Sequence, residues 1–228
     1  QKEDAMSFYR KSSDETMEEL NTSLNGLSSQ EAAKRKERYG ANELKEADRP
    51  SALQIFIDQF KDLIVIILIV AALISGATGD LKSTIVIIAV LILNAIFGTT
   101  QTLNAQKSVD SLKSLSVPKV KVIRDGQKQE IDSTDVTIGD LVVFEAGDMI
   151  VADARIVDAS SLQVNESALT GESHAVDKTV DPIAGEVVIG DQTNMVFTSS
   201  QVTYGNGSAI VTDIGENTEI GKISSLIK

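Results

Sequence analysis

Two long stretches without a charged residue constrain this chain more than any other feature. One runs from Leu63 to Gly79 and the other from Ser83 to Gln106. A helix needs about 20 mostly apolar residues to cross a membrane. The second stretch meets this length by itself. The first reaches it only with the segment before it, in which Leu53, Phe56 and Phe60 recur at helical spacing. Helices that are apolar on every side are difficult to bury in a small soluble protein, so we favour two transmembrane helices over two core helices.

The connection between the two apolar stretches is short. The sequence Asp80-Leu81-Lys82 permits only a tight hairpin, which places both outer ends on the same side of the membrane. Lys61 precedes the hairpin, and Lys107 and Lys113 follow it. Basic residues favour the cytoplasmic flank of a membrane helix, although aspartates near these lysines weaken the bias. We therefore expect a multi-pass protein of the cell membrane, in contact with the lipid bilayer.

The net charge and the absence of cysteine limit the classes of protein to which this chain can belong. The formal net charge is -12, which argues against nucleic-acid binding because a phosphate backbone requires a basic face. The sequence contains no cysteine, so a disulfide scaffold and thiol chemistry are both excluded.

The segment before the hairpin has the signals of two helices. Thr16 with Glu19, and Ser28 with Glu31, have the spacing of a capping box, in which each serine or threonine begins a helix. The second helix is expected to end at Gly40, since glycine is favoured at the end of a helix.

From about Pro118 the pattern changes to short apolar runs typical of strands. Asp125-Gly126 is a hairpin signal, and the segment from Tyr204 to Gly207 is expected to be the turn of a last hairpin. The stretch from Asn217 to Ile227 is expected to be helical. The other predicted strands are Leu141–Phe144, Ile150–Val157, Val187–Ile189, Met195–Val202 and Ser208–Thr212.

Four ordered segments of the chain resemble P-type ATPases. They are residues 26–33 with 38–44, 139–148 with 152–155, 165–173, and 194–197 with 219–223. The first segment is similar to the N-terminus of the type II group, which includes calcium, sodium-potassium and proton pumps. The chain is most similar to bacterial calcium pumps related to the sarcoplasmic reticulum pump. A single Thr-Gly-Glu-Ser tetrapeptide would be weak evidence, whereas four segments in the right order around a membrane hairpin are strong evidence.

The resemblance implies a mostly β actuator domain with N-terminal helices, plus a two-helix transmembrane hairpin. Residues 1–49 would form the helical part of the actuator domain and residues 113–228 its β part, both facing the cytoplasm. Residues 50–112 would form membrane helices 1 and 2, with an amphipathic lead-in and a cytoplasmic extension.

The function implied is that of the N-terminal part of an ATP-driven cation transporter, with calcium as the favoured ion. Gln101-Thr102 stands where calcium pumps often have Gln-Glu, which weakens that choice. Sodium, potassium, protons and magnesium therefore stay open as transported cations. A membrane-anchored β module that binds a partner and catalyses nothing also stays open.

The resemblance assigns chemistry to Thr170, Gly171, Glu172 and Ser173. Pumps of this family work through a covalent aspartyl-phosphate, which a water molecule later hydrolyses. Glu172 would orient that water and accept its proton, while Thr170 and Ser173 would position the loop by hydrogen bonds. Gly171 would allow the backbone to approach the phosphate and to adopt dihedral angles closed to other residues. The alternative is an ordinary polar turn.

The residues that bind the pump's other ligands are expected elsewhere. The phosphorylation motif Asp-Lys-Thr-Gly-Thr does not occur in the sequence, nor does a segment resembling the nucleotide-binding domain. ATP and Mg²⁺ are therefore expected to bind to remaining domains of the same pump, and this chain alone is expected to be inactive. His174 is interpreted as a solvated neighbour of the loop. Asp140, Asp148 and Asp153 could form a metal cluster, but turn-forming roles are favoured for the first two because each follows a glycine.

Overall fold

The computed structural model describes residues 7–44, 50–114 and 117–227. These residues divide into two compact units, one made of 7–44 with 117–227 and the other of 50–114. The domain boundary expected at residue 49 lies outside the described residues. The boundary expected at residue 112 falls within a helix that continues to Ser114.

The larger unit is built on an antiparallel sheet, which has seven strands in the part of the chain described. Its order is β2-β1-β3-β7-β4-β5, with β6 paired to β4 beside this path. The strands are β1 Lys119–Arg124, β2 Gln127–Asp132, β3 Leu141–Glu145, β4 Asp153–Asn165, β5 Ala175–Asp177, β6 Met195–Val196 and β7 Gln201–Asp213. Apolar side chains of β4 and β7 form the centre of the core, where Ile156, Val164, Ala209 and Val211 are fully buried. Burying each large aliphatic side chain stabilises the fold by about 1.5–3 kcal/mol.

The hairpin predicted at Asp125-Gly126 is confirmed. Arg124 pairs with Gln127 across a two-residue connection, and Asp125 and Gly126 have φ angles of 53° and 72°. Positive φ at both central residues is the requirement of a type I′ turn, whose twist matches that of the strands.

The turn predicted from Tyr204 to Gly207 is wrong, because these residues lie inside the long strand β7. They pair with a stretch of β4 that contains bulges, and Gly205 has a φ of 75°. A Cβ atom on Gly205 would lie 2.3 Å from the carbonyl oxygen of Ser161. Glycine is therefore required here by the close approach of a bulged partner strand and not by a chain reversal.

Two other strand predictions also need correction. Val187–Ile189 forms no strand; Val188 is exposed, and Ile189–Asp191 is a short 3-10 helix. The predicted strand Met195–Val202 is split into β6 and the start of β7, because Ser199 between them has a φ of 70°.

Two N-terminal helices pack in the same unit, α1 over Ser13–Glu19 and α2 over Ser29–Tyr39. The start predicted for α2 is confirmed, since the Ser28 hydroxyl accepts the N–H of Glu31 at 3.1 Å. The start predicted for α1 at Thr16 is wrong by one turn. Ser12 and Glu15 form the capping box instead, and Thr16 is a buried residue inside the helix. The sequence contains this spacing at both positions, and burial of Thr16 selects the earlier one.

Asn42 ties the N-terminal segment to the sheet region. Its side-chain amide donates to the carbonyl oxygens of Ser133 at 3.0 Å and Val151 at 2.9 Å. Its side-chain oxygen accepts the N–H of Gly215 at 2.9 Å. Gly215 begins a 3-10 turn that precedes the last helix of the described residues, α7, over Glu219–Ile227. A short helix, α6, over Ser167–Thr170 lies between β4 and β5. One half-buried amide therefore joins segments that are far apart in the sequence.

The second unit is helical. Its helices are α3 over Ala52–Asp58, α4 over Leu63–Ala77 and α5 over Leu81–Ser114, with a 3-10 turn at Gln59–Lys61. Helices α3 and α4 both pack against α5. Asp62 begins α4 by accepting the N–H of Ile64 at 2.9 Å, and Asp80 begins α5 by accepting the N–H of Ser83 at 3.1 Å. An acidic N-cap satisfies free N–H groups and suits the positive end of the helix dipole.

Within the described residues, one unbroken helix is long and apolar enough to cross a membrane, Leu81–Ser111. A second candidate is formed only by Ala52–Lys61 together with Leu63–Ala77, and this pair is bent by 71°. The bend lies at Asp62, whose backbone is extended with φ -65° and ψ 138°. Helix α4 alone has 15 residues, which gives a length of about 22 Å against a hydrocarbon core of about 30 Å.

Candidate functional site

The four residues predicted as the site lie together in the loop that connects β4 to β5. The base of this loop is the antiparallel pair Asn165 and Ala175. The chain leaves β4 through α6, passes Gly171, and returns to the sheet at β5. The adjacent strands therefore fix both ends of the loop, while its tip extends beyond the sheet.

Thr170 anchors the loop through its hydroxyl group. The carbonyl oxygen of Glu166 accepts hydrogen bonds from the Thr170 N–H at 3.0 Å and from the Thr170 hydroxyl at 3.1 Å. The same hydroxyl accepts the N–H of Glu172 at 3.2 Å. The backbone at Glu172 is thus held to the end of β4 through Thr170. Among the described residues no hydrogen-bond partner is found for the Ser173 side chain, so the positioning bond expected for both hydroxyls is present for Thr170 alone.

Gly171 ends α6 in a left-handed conformation, with φ 76° and ψ -3°. Its N–H donates to the carbonyl oxygen of Ser167 at 3.0 Å. A Cβ atom added at Gly171 would have no atom within 4 Å outside the neighbouring residues of the chain. In this structure glycine is therefore favoured by the backbone conformation and not by crowding around it.

The tip of the loop is open to solvent. Glu172, Ser173 and His174 are all exposed. The carboxylate of Glu172 is therefore free to meet a group outside this chain, while its backbone stays attached to Thr170.

A buried ion pair lies below the loop, and sequence reasoning missed it. The ammonium of Lys178 is 2.5 Å from a carboxylate oxygen of Glu166, and both side chains are almost completely buried. The ammonium also lies 5.8 Å from the ring centroid of Phe197. Burial raises the pKa of Glu166 and lowers the pKa of Lys178, because each charge loses its hydration. No local pattern reveals this pair, since it depends on how β4 and β5 align.

Arg155 is a second buried charge whose role the sequence did not reveal. It stands in a segment that resembles the family, yet no motif shows its partners. Burial lowers the pKa of Arg155 to about 10. Its guanidinium donates only to backbone carbonyl oxygens in the described residues, those of Phe8, Lys11, Ile156, Val180 and Asn194. Arg155 therefore connects the N-terminal segment to the chain that follows the loop.

The three aspartates considered as metal ligands have separate partners. Asp140 pairs with Arg124 at 2.6 Å, Asp148 pairs with Lys121 at 3.3 Å, and Asp153 accepts the N–H of Glu219 at 2.7 Å, at the start of α7. Asp140 and Asp148 each follow a two-residue turn that contains a glycine, as the sequence indicates. In the part of the chain that the structure describes, no three histidine, cysteine or acidic side chains are placed to hold a metal ion.

The fold and the loop together define a class of protein. An antiparallel sheet unit that presents an exposed Thr-Gly-Glu-Ser loop, in a chain that also carries apolar helices, has the features expected of the actuator region of a membrane pump. Residues 114–228 match the P-type ATPase actuator domain, and residues 8–75 match the N-terminus of cation transporters and ATPases. The chain belongs to the P-type ATPase family, which confirms the resemblance found in the sequence.

Similar curated proteins cover almost the whole chain. A calcium-transporting ATPase of Listeria monocytogenes is 44% identical over 223 residues, which are 98% of this chain and 25% of the relative. Calcium-transporting ATPase 1 of Lactococcus lactis is 43% identical, and a calcium-transporting ATPase of Bacillus subtilis is 42% identical, with the same shares covered. The chain thus spans about a quarter of the length of these relatives.

Proposed function

We propose that this chain is the N-terminal part of an ATP-driven calcium pump, in which the loop from Thr170 to Ser173 drives hydrolysis of an aspartyl-phosphate. The observation that carries the proposal is the geometry of Glu172. Its carboxylate is exposed, while its backbone is held to the end of β4 through the Thr170 hydroxyl. This combination suits a group that must act at a phosphate held by another domain.

The chemistry requires a base and a correctly placed water molecule. The Glu172 carboxylate accepts a proton from the water, whose oxygen forms a bond to phosphorus. The bond between phosphorus and the aspartate oxygen then breaks, which releases inorganic phosphate and restores the aspartate. A base on a movable loop makes hydrolysis conditional, because the phosphoenzyme persists until the loop arrives.

The remaining ligands of the pump are assigned to other segments. ATP and Mg²⁺ would bind to domains of the complete pump that carry the phosphorylated aspartate. The transported ion would cross through membrane helices beyond those present here. Calcium is favoured over sodium, potassium, protons and magnesium because the similar proteins are named as calcium transporters.

The helical unit is proposed to cross the membrane twice. Helix α5 forms one span, and the bent pair α3–α4 forms the other, with the bend at Asp62 near one surface of the bilayer. The tight connection between α4 and α5 at Asp80 supports a hairpin whose outer ends share one side. Lys61 and Lys107 near those ends favour the cytoplasm for that side, and with it the β-sheet unit.

The proposal is tested by ion uptake into inverted membrane vesicles that contain the complete pump. We expect uptake of radioactive calcium that depends on ATP and is abolished by Glu172→Gln. A matched control is Glu186→Gln, which changes a carboxylate that is 94% exposed and lies outside the loop. Uptake of another cation in place of calcium would overturn the ion assignment. Equal calcium uptake by the Glu172→Gln and Glu186→Gln pumps would overturn the role of Glu172.

A further inference from the structure

We infer that the buried ion pair between Glu166 and Lys178 is a positioning device, which sets the place of Glu172 during hydrolysis of the aspartyl-phosphate. This inference rests on the proposed function of Glu172. Both side chains are buried below the exposed loop tip, so they are positioning residues and not catalytic residues.

A continuous series of contacts leads from the pair to Glu172. The side chain of Glu166 binds Lys178 at 2.5 Å, and the backbone carbonyl of the same Glu166 receives both hydrogen bonds from Thr170. Thr170 in turn receives the N–H of Glu172. Glu166 is therefore the residue through which the buried pair and the exposed loop are joined.

The pair also closes the loop at its base. Glu166 follows the last residue of β4, and Lys178 follows the last residue of β5. The backbone N–H of Lys178 donates to the carbonyl oxygen of Leu162 on β4 at 2.9 Å. The side chains of Glu166 and Lys178 therefore join the ends of the two strands below the tip, so a shift at the base of the loop would move one member of the pair.

The burial of the pair points to a geometric role. Glu166 is 1% exposed and Lys178 is 6% exposed. In the described residues the carboxylate and the ammonium have no hydrogen-bond partner apart from their contact with each other. Burying two charges has a large desolvation cost, and neutral residues of similar size often stabilise a fold equally well. A pair that adds little stability but fixes one arrangement suits a loop that must place the Glu172 carboxylate accurately.

The test follows the decay of labelled phosphoenzyme in the complete pump. The Lys178→Met pump should form phosphoenzyme normally, because that step uses other domains. Its decay should be roughly 10- to 100-fold slower, as expected for a catalytic group misplaced by about an ångström. The matched control is Asp140→Asn, which removes the buried carboxylate of another ion pair of the same unit, with the half-buried Arg124. This control should lower thermal stability and leave the decay rate unchanged. Equal slowing in both pumps would reduce the Glu166–Lys178 pair to a structural role.

A second variant covers the case in which Lys178→Met fails to fold because Glu166 is left buried and unpaired. The double change Glu166→Gln with Lys178→Met leaves no unpaired charge at this site, so folding should be retained while the ion pair across the base of the loop is lost. Its phosphoenzyme should also decay roughly 10-fold or more slowly than that of the unchanged pump. Decay at the unchanged rate in this folded double variant would overturn the inference.

The Glu172→Gln pump separates this inference from the proposed function. In that background, the double change at Glu166 and Lys178 should cause no further slowing, because a positioning device acts through Glu172. Further slowing by the same factor would show that the pair acts independently of Glu172. If Glu172→Gln alone decays at the unchanged rate, the proposed function itself fails. If Glu172→Gln is slow while the pair variants decay normally, only the positioning role fails.

Discussion

The hydroxyl of Thr170 accepts the backbone N–H of Glu172 at 3.2 Å and donates its own proton to the carbonyl oxygen of Glu166 at 3.1 Å. One side chain thus links the end of a buried strand to the backbone of an exposed carboxylate. The loop combines an anchored backbone with a free side chain. This is the property that a base needs when its substrate is carried by a different domain.

Replacing Thr170 by valine should slow dephosphorylation by about fivefold. Valine keeps the shape of threonine but removes a hydroxyl whose hydrogen bond is worth about 1 kcal/mol, and 1.4 kcal/mol corresponds to about tenfold in rate. Phosphoenzyme decay measures the effect. Thr179→Val is the control, since it deletes a hydroxyl that lies 3.3 Å from that of Thr193, outside the loop. Equal decay rates in the two variants would show that the Thr170 bond has no catalytic consequence.

Substitutions of Gly171 should rank by their tolerance of a left-handed backbone. Gly171→Ala should slow phosphoenzyme decay more than Gly171→Asn, because a left-handed conformation costs most residues about 1–2 kcal/mol and asparagine less. A Cβ atom at this position has no atom outside the neighbouring residues within 4 Å, so crowding at that atom should not alter the order. A greater defect for asparagine than for alanine would show that side-chain size matters when the loop meets its partner domain.

Loss of Arg155 should destabilise the sheet unit by at least about 3 kcal/mol, because Arg155→Met leaves several carbonyl oxygens buried without a donor. Arg155→Lys should recover only part of this loss, since an ammonium has fewer donors than a guanidinium. Thermal unfolding of the purified pump measures both. Arg10→Met is the matched control. Arg10 donates a hydrogen bond of 2.9 Å to the carbonyl oxygen of Gly185, and its side chain is 32% exposed. Similar midpoints for the Arg155→Met and Arg10→Met proteins would contradict the structural role.

Single cysteines should report the membrane topology, since the chain has no cysteine of its own. Gln30→Cys, Lys82→Cys and Lys128→Cys each place a thiol at an exposed position. In intact cells an impermeant maleimide should label only Lys82→Cys, near the turn between α4 and α5. The other two should be labelled after the cells are opened. Labelling of both Gln30→Cys and Lys128→Cys in intact cells would overturn the cytoplasmic orientation, and labelling of only one of the two would overturn the hairpin.

The features predicted correctly depend on neighbouring residues in the sequence. The Asp125-Gly126 hairpin and the cap at Ser28 are local, so residue type and spacing were sufficient. Gly205 was misassigned because glycine serves both turns and bulges, and only the partner strand distinguishes them. The bend at Asp62 has a signal in the sequence. Aspartate before an apolar run is a typical start of a new helix, and a new helix does begin here.

The features of the candidate site also divide into local ones, which the sequence predicts, and long-range ones, which it does not. The positions of Thr170 to Ser173 in one loop follow from their adjacency in the sequence. The ion pair below them joins residues that are separated by the whole loop, and the partners of Arg155 come from the N-terminal segment and from the chain that follows the loop. Such contacts depend on strand register and chain topology, which local patterns do not specify.

The central claim is tested most directly by the decay of phosphoenzyme in the Glu172→Gln pump. Labelled phosphoenzyme is formed from ATP, unlabelled ATP is added, and the remaining label is followed with time after acid quenching. Glutamine keeps the size of glutamate and removes the proton acceptor, so formation should be normal. Decay should be slower by about two to four orders of magnitude, which is the usual effect of losing a general base. Decay at the rate of the unchanged pump would contradict the role of Glu172 and leave the loop as an ordinary polar turn.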